Sequence, residues 1–256
     1  AKHDIAAADA LAAASATAPA QRIFVAPPFG MRLREFDIQE KGYYADVMAS
    51  VADDAAVRTP SMEDFCVAKA FCSLADDGVA VLHVSASFLF HQQKARQALR
   101  GALVEGGYLR TVIELPGGII PGAGVKSALL VIGKQPASEG VLIVDLDSRE
   151  LANKGYVVKG RGRCEITSEG IDWLAKAVDG RDEIPLVSTI ADRERILASG
   201  SNLCYSAYGD VFDYGAILDE ARSAKDIMGD IRKAQASIDL LSEQIIDILN
   251  SIEKEG

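Results

Sequence analysis

A chain of 256 residues with 49% hydrophobic and 25% charged residues is long enough to bury one sizeable core plus an appendage, or two small cores. Its 37 acidic against 27 basic residues, a net charge of −10, argue against an autonomous nucleic-acid binder, because phosphate neutralisation supplies most non-specific affinity; any contact with DNA is local or helped by a partner. No stretch reaches the ~18 uncharged apolar residues of a membrane span, while four cysteines without a CxxC pair (Cys66, Cys72, Cys164, Cys204) and three scattered histidines (His3, His83, His91) suggest neither a metal site nor a serine-hydrolase triad.

The alanine-rich opening, residues 6–20, is preceded by Asp4 and contains Asp9 where a signal peptide needs a basic region, so a cytoplasmic protein is expected. A chain that opens on Ala1 is expected to be an excised fragment or to carry a tag remnant. Ile23 to Val25 then reads as a strand that ends in Ala26-Pro27-Pro28-Phe29-Gly30. Neither proline carries an N–H, both fix φ near −65°, and the residue before each is pushed to an extended conformation. The loop is therefore an acceptor-only platform, and with the flat ring of Phe29 beside it, it suits a planar ring that carries an amino group. A tight turn is the alternative reading of the same residues. Open α/β sheets place their ligands at the carboxyl ends of strands, where this loop lies.

Residues 31–60, with Arg32, Arg34, Tyr43, Tyr44, Asp53 and Asp54, show no period and are long for a connection. Ser61 followed by Glu63 and Asp64 starts a helix on which Phe65, Ala68, Phe71, Cys72 and Ala75 share a face, with Asp77-Gly78 as its stop. In that pattern Cys66 and Cys72 read as buried thiols. Val79 to Val84 is a strand covered on both faces. Gln92 to Glu105 is a helix closed by Gly106-Gly107, and Leu109–Leu115, Ser127–Ile132 and Val141–Leu146 are strands. This alternation predicts an α/β fold with a mostly parallel sheet, its last two strands antiparallel at one edge. The Gly-rich stretch from Gly117 to Ser127 departs from a phosphate loop, since Val125 separates Gly124 from Lys126 and a strand follows; it reads as a connection.

Residues 148–209 are mixed: a basic cluster of Lys159, Arg161 and Arg163 among glycines is either a solvated loop or a phosphate contact. Ile166 to Val178 reads as helix, and Val187 to Leu197 as a short strand and helix. At the end, Ile227, Ile231, Ala234, Ile238, Leu241, Ile245, Ile248 and Ile252 recur at steps of four and three, a coiled-coil seam on a helix over about 217–253 that has to pack on another helix.

Taken together, these residues resemble the modification (M) subunit of type I restriction-modification systems, an adenine-N6 DNA methyltransferase family. Phe24 to Gly30 resembles the family's Asn-Pro-Pro-Phe-Gly catalytic motif at the end of the fourth strand. Val79 to Leu82 is similar to its fifth strand, Phe88-Leu89-Phe90 to the aromatic stretch after it, and Ala95 to Leu99 to its basic helix. Val112 to Pro116 followed by Ser127 to Lys134 keeps the family order of Leu-Pro, Gly-rich loop, hydrophobic strand and Lys. Ser201-Asn202-Leu203 to Tyr208 before a long helix resembles the tail that docks on the specificity subunit.

The resemblance implies a partial Rossmann-like methyltransferase sheet over 1–150, a mixed extension over 151–209, and a long assembly helix over 210–256. It implies transfer of a methyl group from S-adenosylmethionine to a flipped-out adenine, with Phe29 stacking on the base, Pro27 accepting an N6–H bond through its carbonyl, and position 26 and Pro28 completing the motif. Asp9, in Ala8-Asp9-Ala10-Leu11, resembles the Asp of a Gly-Asp-x-Leu segment near the cofactor's adenine. Implied partners are DNA, the specificity subunit, a second M subunit and, in the full assembly, the restriction subunit; no membrane is implied. Two departures stand out. Ala26 occupies the family's Asn or Asp position, and no Gly-rich cofactor loop precedes it in this chain. The chain alone is therefore expected to be inactive and to bind S-adenosylmethionine weakly or not at all. The alternative is a degenerate methyltransferase-like subunit with an assembly or scaffolding role only; a protein-glutamine or RNA methyltransferase shares the Pro-Pro-aromatic loop but not the Leu-Pro block and tail.

Overall fold

The computed structural model describes residues 19–32, 46–49, 51, 61–137, 139–209 and 235; Asp9, most of the connection before Ser61 and the coiled-coil seam lie outside the described residues. The described residues up to 209 belong to one compact unit. In chain order they form β1 (Ala20–Val25), α1 (Met62–Cys72), β2 (Leu74–Ser85), α2 (Ala86–Phe90), α3 (Lys94–Glu105), β3 (Leu109–Leu115), β4 (Ser127–Gly133) and β5 (Val141–Asp145). Then come α4 (Arg149–Asn153), β6 (Val157–Gly160), β7 (Arg163–Ile166), α5 (Ser168–Gly180), β8 (Ser188–Ala191), α6 (Arg193–Ala198) and a 3₁₀ turn at Tyr205–Ala207.

Helix α1 starts where its chemistry predicts. Ser61 is extended and its hydroxyl accepts from the Asp64 N–H at 3.1 Å, while Glu63 and Asp64 sit in the first turn. It stops at Cys72, before the expected Asp77-Gly78, because Leu74 leaves to pair with Ala20. Gly78 lies instead inside β2, where the pairing register with β1 breaks and a Cβ would come within 2.8 Å of the Ala20 and Ala75 carbonyl oxygens. Cys72 is exposed rather than buried, since the shortened helix ends there, and Cys66 is half-buried.

The six-stranded sheet runs β1-β2-β4-β3-β5-β8, with β6 and β7 as a separate two-stranded ribbon. β1 pairs parallel with β2, and β3 with β5; β4 runs antiparallel to both its neighbours, and β8 antiparallel to β5. Four strands thus point one way, and an antiparallel strand does occupy an edge, but it is β8. The edge pair expected from Ser127–Ile132 and Val141–Leu146 does not form. The Gly-rich loop turns the chain straight back along β3, so β4 fills the gap between β2 and β3, and β5 is left to join β3 from the other side.

Alternation along β2 decides where the core lies. Ala80, Leu82 and Val84 are fully buried with Phe65, Phe88, Leu99 and Leu130 beneath α1 to α3, while Val79, Val81 and His83 face the other way and are half-buried. The expectation of a strand covered on both faces therefore holds for one face only among the described residues. A second core, with Ile113, Leu142, Val144 and Leu151, lies beneath α5 and the β6–β7 ribbon.

Three residues of the Leu-Pro block turn out to be joints. Glu114 accepts a short hydrogen bond from the Tyr205 N–H, which ties the end of the unit to β3. Lys134 Nζ donates to the Phe71 carbonyl at 3.2 Å and lies 4.1 Å from the centre of the Phe71 ring, which closes the end of α1. The Gly118 carbonyl accepts from the Cys164 N–H at 2.9 Å, so the Gly-rich loop is occupied by the β6–β7 ribbon. Fully buried Arg100 donates to the carbonyls of Ser201, Phe88 and His91 at 2.6, 2.7 and 3.1 Å and pins the final segment to α2 and α3.

Candidate active site

Because β1, β2, β3 and β5 point the same way, their carboxyl ends share one edge of the sheet, and the proline loop stands at its β1 end. Ala26, Pro27, Pro28 and Phe29 are brought together there in one loop, with Ala26 and Pro28 exposed, Phe29 half-buried and Pro27 buried. Gly30 closes the turn at φ +67°, a conformation that costs glycine little. Asp9, the expected cofactor residue, lies outside the described residues.

Two buried devices hold this loop. The first is Glu63, 1% exposed, whose Oε1 accepts from the Ser85 N–H at 2.7 Å and whose Oε2 accepts from the Gly30 N–H at 3.4 Å. One carboxylate thereby joins the proline loop to the end of β2. Arg96 neutralises it from 3.5 Å, while donating to Asp64 at 2.7 Å and to the Ser61 hydroxyl at 2.8 Å and lying 5.2 Å from the Phe88 ring. Burying these charges is tolerable because they are paired and hydrogen-bonded. The Met62 N–H also donates to the Met31 carbonyl at 2.9 Å, so the chain leaving the loop is fastened to the start of α1.

The second device is His83. Its ring centre lies 5.2 Å from that of Phe29 at an interplanar angle of 85°, an edge-to-face pair, and its Nε2 lies 2.9 Å from the Ser127 hydroxyl at the start of β4. Burial lowers the His83 pKa from its ordinary 6.5, which favours the neutral ring. Phe29 is thus backed by a side chain that is itself anchored one strand further in.

Sequence reasoning found the loop and missed its supports. Glu63 had been readable only as a helix-start residue, and its partners are 33 and 22 positions away. His83 carried one usable signal: it alternates with Ala80, Leu82 and Val84, so the period of two places it on the face away from the helices.

A sequence model of the family N-6 DNA methylase matches residues 1–214. Among solved structures the fold is similar to the methyltransferase subunit of the type I restriction-modification system from Streptococcus thermophilus, with a TM-score of 0.65 and 21% identity over 79% of this chain and 42% of that one. It is also similar to a chain from a structure addressing complex assembly and conformational transition of the type I R-M system, with a TM-score of 0.58 and 18% identity over 92% of this chain and 46% of that one. The chain spans less than half the length of either, and at these identities the likeness is one of fold. With the family match running from the first residue past the last strand of the sheet, and the proline loop seated at the carboxyl end of β1, the chain belongs to the N-6 DNA methylase family.

Proposed function

We propose that this chain acts as part of the modification subunit of a type I restriction-modification system and supplies the adenine-holding side of a site that methylates adenine N6 in DNA. The observation that carries the reading is the proline loop, fixed from below by Glu63 and from the side by His83. Adenine N6 is a poor nucleophile while its lone pair is delocalised into the ring. A flipped base stacked on Phe29, with an N6–H bonded to the Pro27 carbonyl, has that lone pair drawn out of conjugation. Held edge-on by His83, Phe29 gives the base a fixed floor, and pre-set geometry of this kind accounts for much of an enzyme's advantage.

S-adenosylmethionine is the methyl donor this reading implies. The described residues do not fit it: their one glycine-rich loop, Gly117 to Gly124, joins two strands and is filled by the β6–β7 ribbon, and Asp9 lies outside them. The described residues therefore serve the adenine, and no step of methyl donation is assigned to them. DNA, a specificity subunit, a second modification subunit and the restriction subunit are the partners this role implies, with the seam from Ile227 to Ile252 as the assembly arm.

A second reading, a scaffold without catalysis, is favoured by one residue. Ala26 has no side-chain acceptor where the family motif has one. By analogy with the loss of one oxyanion-hole donor, that omission costs about 10²–10³ in rate. The test is labelled methyl transfer to duplex DNA by the complete protein in its complex, with Ala26 and with Ala26→Asn. A gain of about 10²-fold supports the catalytic reading. No transfer from either protein leaves only the scaffold.

A further inference from the structure

The β6–β7 ribbon is not used by the adenine-holding site, yet it is seated on the same edge of the sheet. It hangs from the β3–β4 loop through the Gly118–Cys164 hydrogen bond and from the end of β5 through Lys159, whose ammonium lies 2.5 Å from Asp147. Its tip is Gly160-Arg161-Gly162-Arg163, with Gly162 at φ +69° making the turn and all four residues exposed. Arg161 makes no ion pair among the described residues. Arg163 pairs only with Glu165, two positions on, at 3.4 Å, with its side chain 79% exposed, a contact of little energetic weight. Lys126 and Lys159 share the carboxylate of Asp147 at 2.6 and 2.5 Å, with Asp145 acting on both, so the positive charge that this corner offers to a ligand is that of the exposed guanidinium groups of Arg161 and Arg163.

We infer that the β6–β7 ribbon is a contact for the DNA backbone, with Arg161 and Arg163 each neutralising a phosphate a few nucleotides along from the target adenine. The inference rests on the reading of the proline loop as the adenine site. Its geometry follows from the sheet order. β1 and β3 are three strand spacings apart, roughly 14 Å at ~4.8 Å per spacing, and successive phosphates of one strand lie ~3.4 Å apart along the helix axis. The ribbon therefore reaches a phosphate about four nucleotides from the flipped base. Glycines on both sides of Arg161 let the ribbon backbone approach the sugar-phosphate chain, and guanidinium groups suit phosphate oxygens. Contacts of this kind fix register on the duplex without reading sequence.

The test uses the complete protein in its complex with Arg161 and Arg163 both changed to Ala, and with Lys176→Ala, on the exposed face of α5, as the control. Fluorescence anisotropy of a labelled duplex gives log Kd against log salt for each protein. Loss of two phosphate contacts lowers the slope by about 1.8, while Lys176→Ala leaves it unchanged. A slope unmoved by the double substitution overturns the inference, as does absence of salt-dependent binding by the unsubstituted complex. An unmoved slope with weaker binding of a polyglutamate peptide overturns it in favour of an acidic protein partner. Base flipping, followed by 2-aminopurine fluorescence at the target position, separates the two claims: flipping with an unmoved slope sinks the ribbon alone, and a lowered slope without flipping sinks the adenine site alone.

Discussion

Glu63→Gln tests the joint beneath the proline loop with the smallest possible change. Glutamine keeps one acceptor oxygen and turns the other into an NH₂ donor. The retained oxygen goes to Ser85, whose N–H bond of 2.7 Å is the short one, and the amide nitrogen then faces the Gly30 N–H at 3.4 Å and Arg96 at 3.5 Å. Donor meets donor in a site that is 1% exposed, where water cannot repair it. A hydrogen bond to a charged group contributes roughly 1.5–3 kcal/mol, and breaking a buried pair outright costs roughly 3–5 kcal/mol. Arg96 keeps Asp64 at 2.7 Å and the Ser61 hydroxyl at 2.8 Å, so the cost falls at the lower end, about 2–3 kcal/mol. Urea unfolding followed by circular dichroism measures the loss. Amide exchange locates it, with Gly30 losing protection and Ser85 keeping it. A stability change below about 0.5 kcal/mol, with Gly30 exchange unchanged, would refute the claim that Glu63 holds the loop.

Arg100→Met leaves three inward-facing carbonyls, those of Ser201, Phe88 and His91, without their donor, and is expected to cost about 3–5 kcal/mol; urea unfolding reads the cost, and limited proteolysis is expected to open the chain near Ser201 first. Gly118→Ala places a Cβ at φ +87° and 3.1 Å from the Cys164 nitrogen, so a loss of about 1–3 kcal/mol is expected, with exchange at the Cys164 amide rising before that of the sheet. The Glu114 carboxyl is held above its ordinary 4.5, chiefly by burial, with the Tyr205 N–H opposing. A raised folded-state pKa means that its contribution is fully present below the unfolded value and is lost as pH rises through the folded one. Glu114→Gln keeps the acceptor for Tyr205 without the charge, so stability measured from pH 4 upward is expected to fall less steeply than in the unsubstituted protein.

How much of this was legible in the sequence follows from how local each signal is. β3 was readable to the residue, because Leu109 to Leu115 is a strand-like stretch bounded by Gly106-Gly107 and Pro116, and the helix start at Ser61 was readable because capping acts over three positions. Strand order was not. Whether β4 pairs with β5 or inserts beside β2 depends on contacts between residues 42 and more positions apart, such as Leu82 with Leu130, and nothing in the local pattern of either run encodes them. The β6–β7 ribbon was missed for a different reason. Its strands are four residues each and their exposed positions are mostly Lys, Gly, Arg and Glu, with Val158 the one β-branched residue among them, so only Val157 and Cys164 are buried to mark it.

The same contrast bears on Ala26. The loop's location is fixed by partners that sequence reading passes over, Glu63 from α1, His83 from β2 and, through it, Ser127 from β4. None of these contacts involves the side chain at position 26, which is exposed. A residue there is free to change without loosening the loop, so Ala26 removes an acceptor and leaves the platform intact. The residue before a proline is held extended whatever its side chain, and Asn at this position therefore inherits the backbone that Ala26 already has. Holding a base and activating it are in this way carried by different residues, and the support for the first persists in this chain independently of the second.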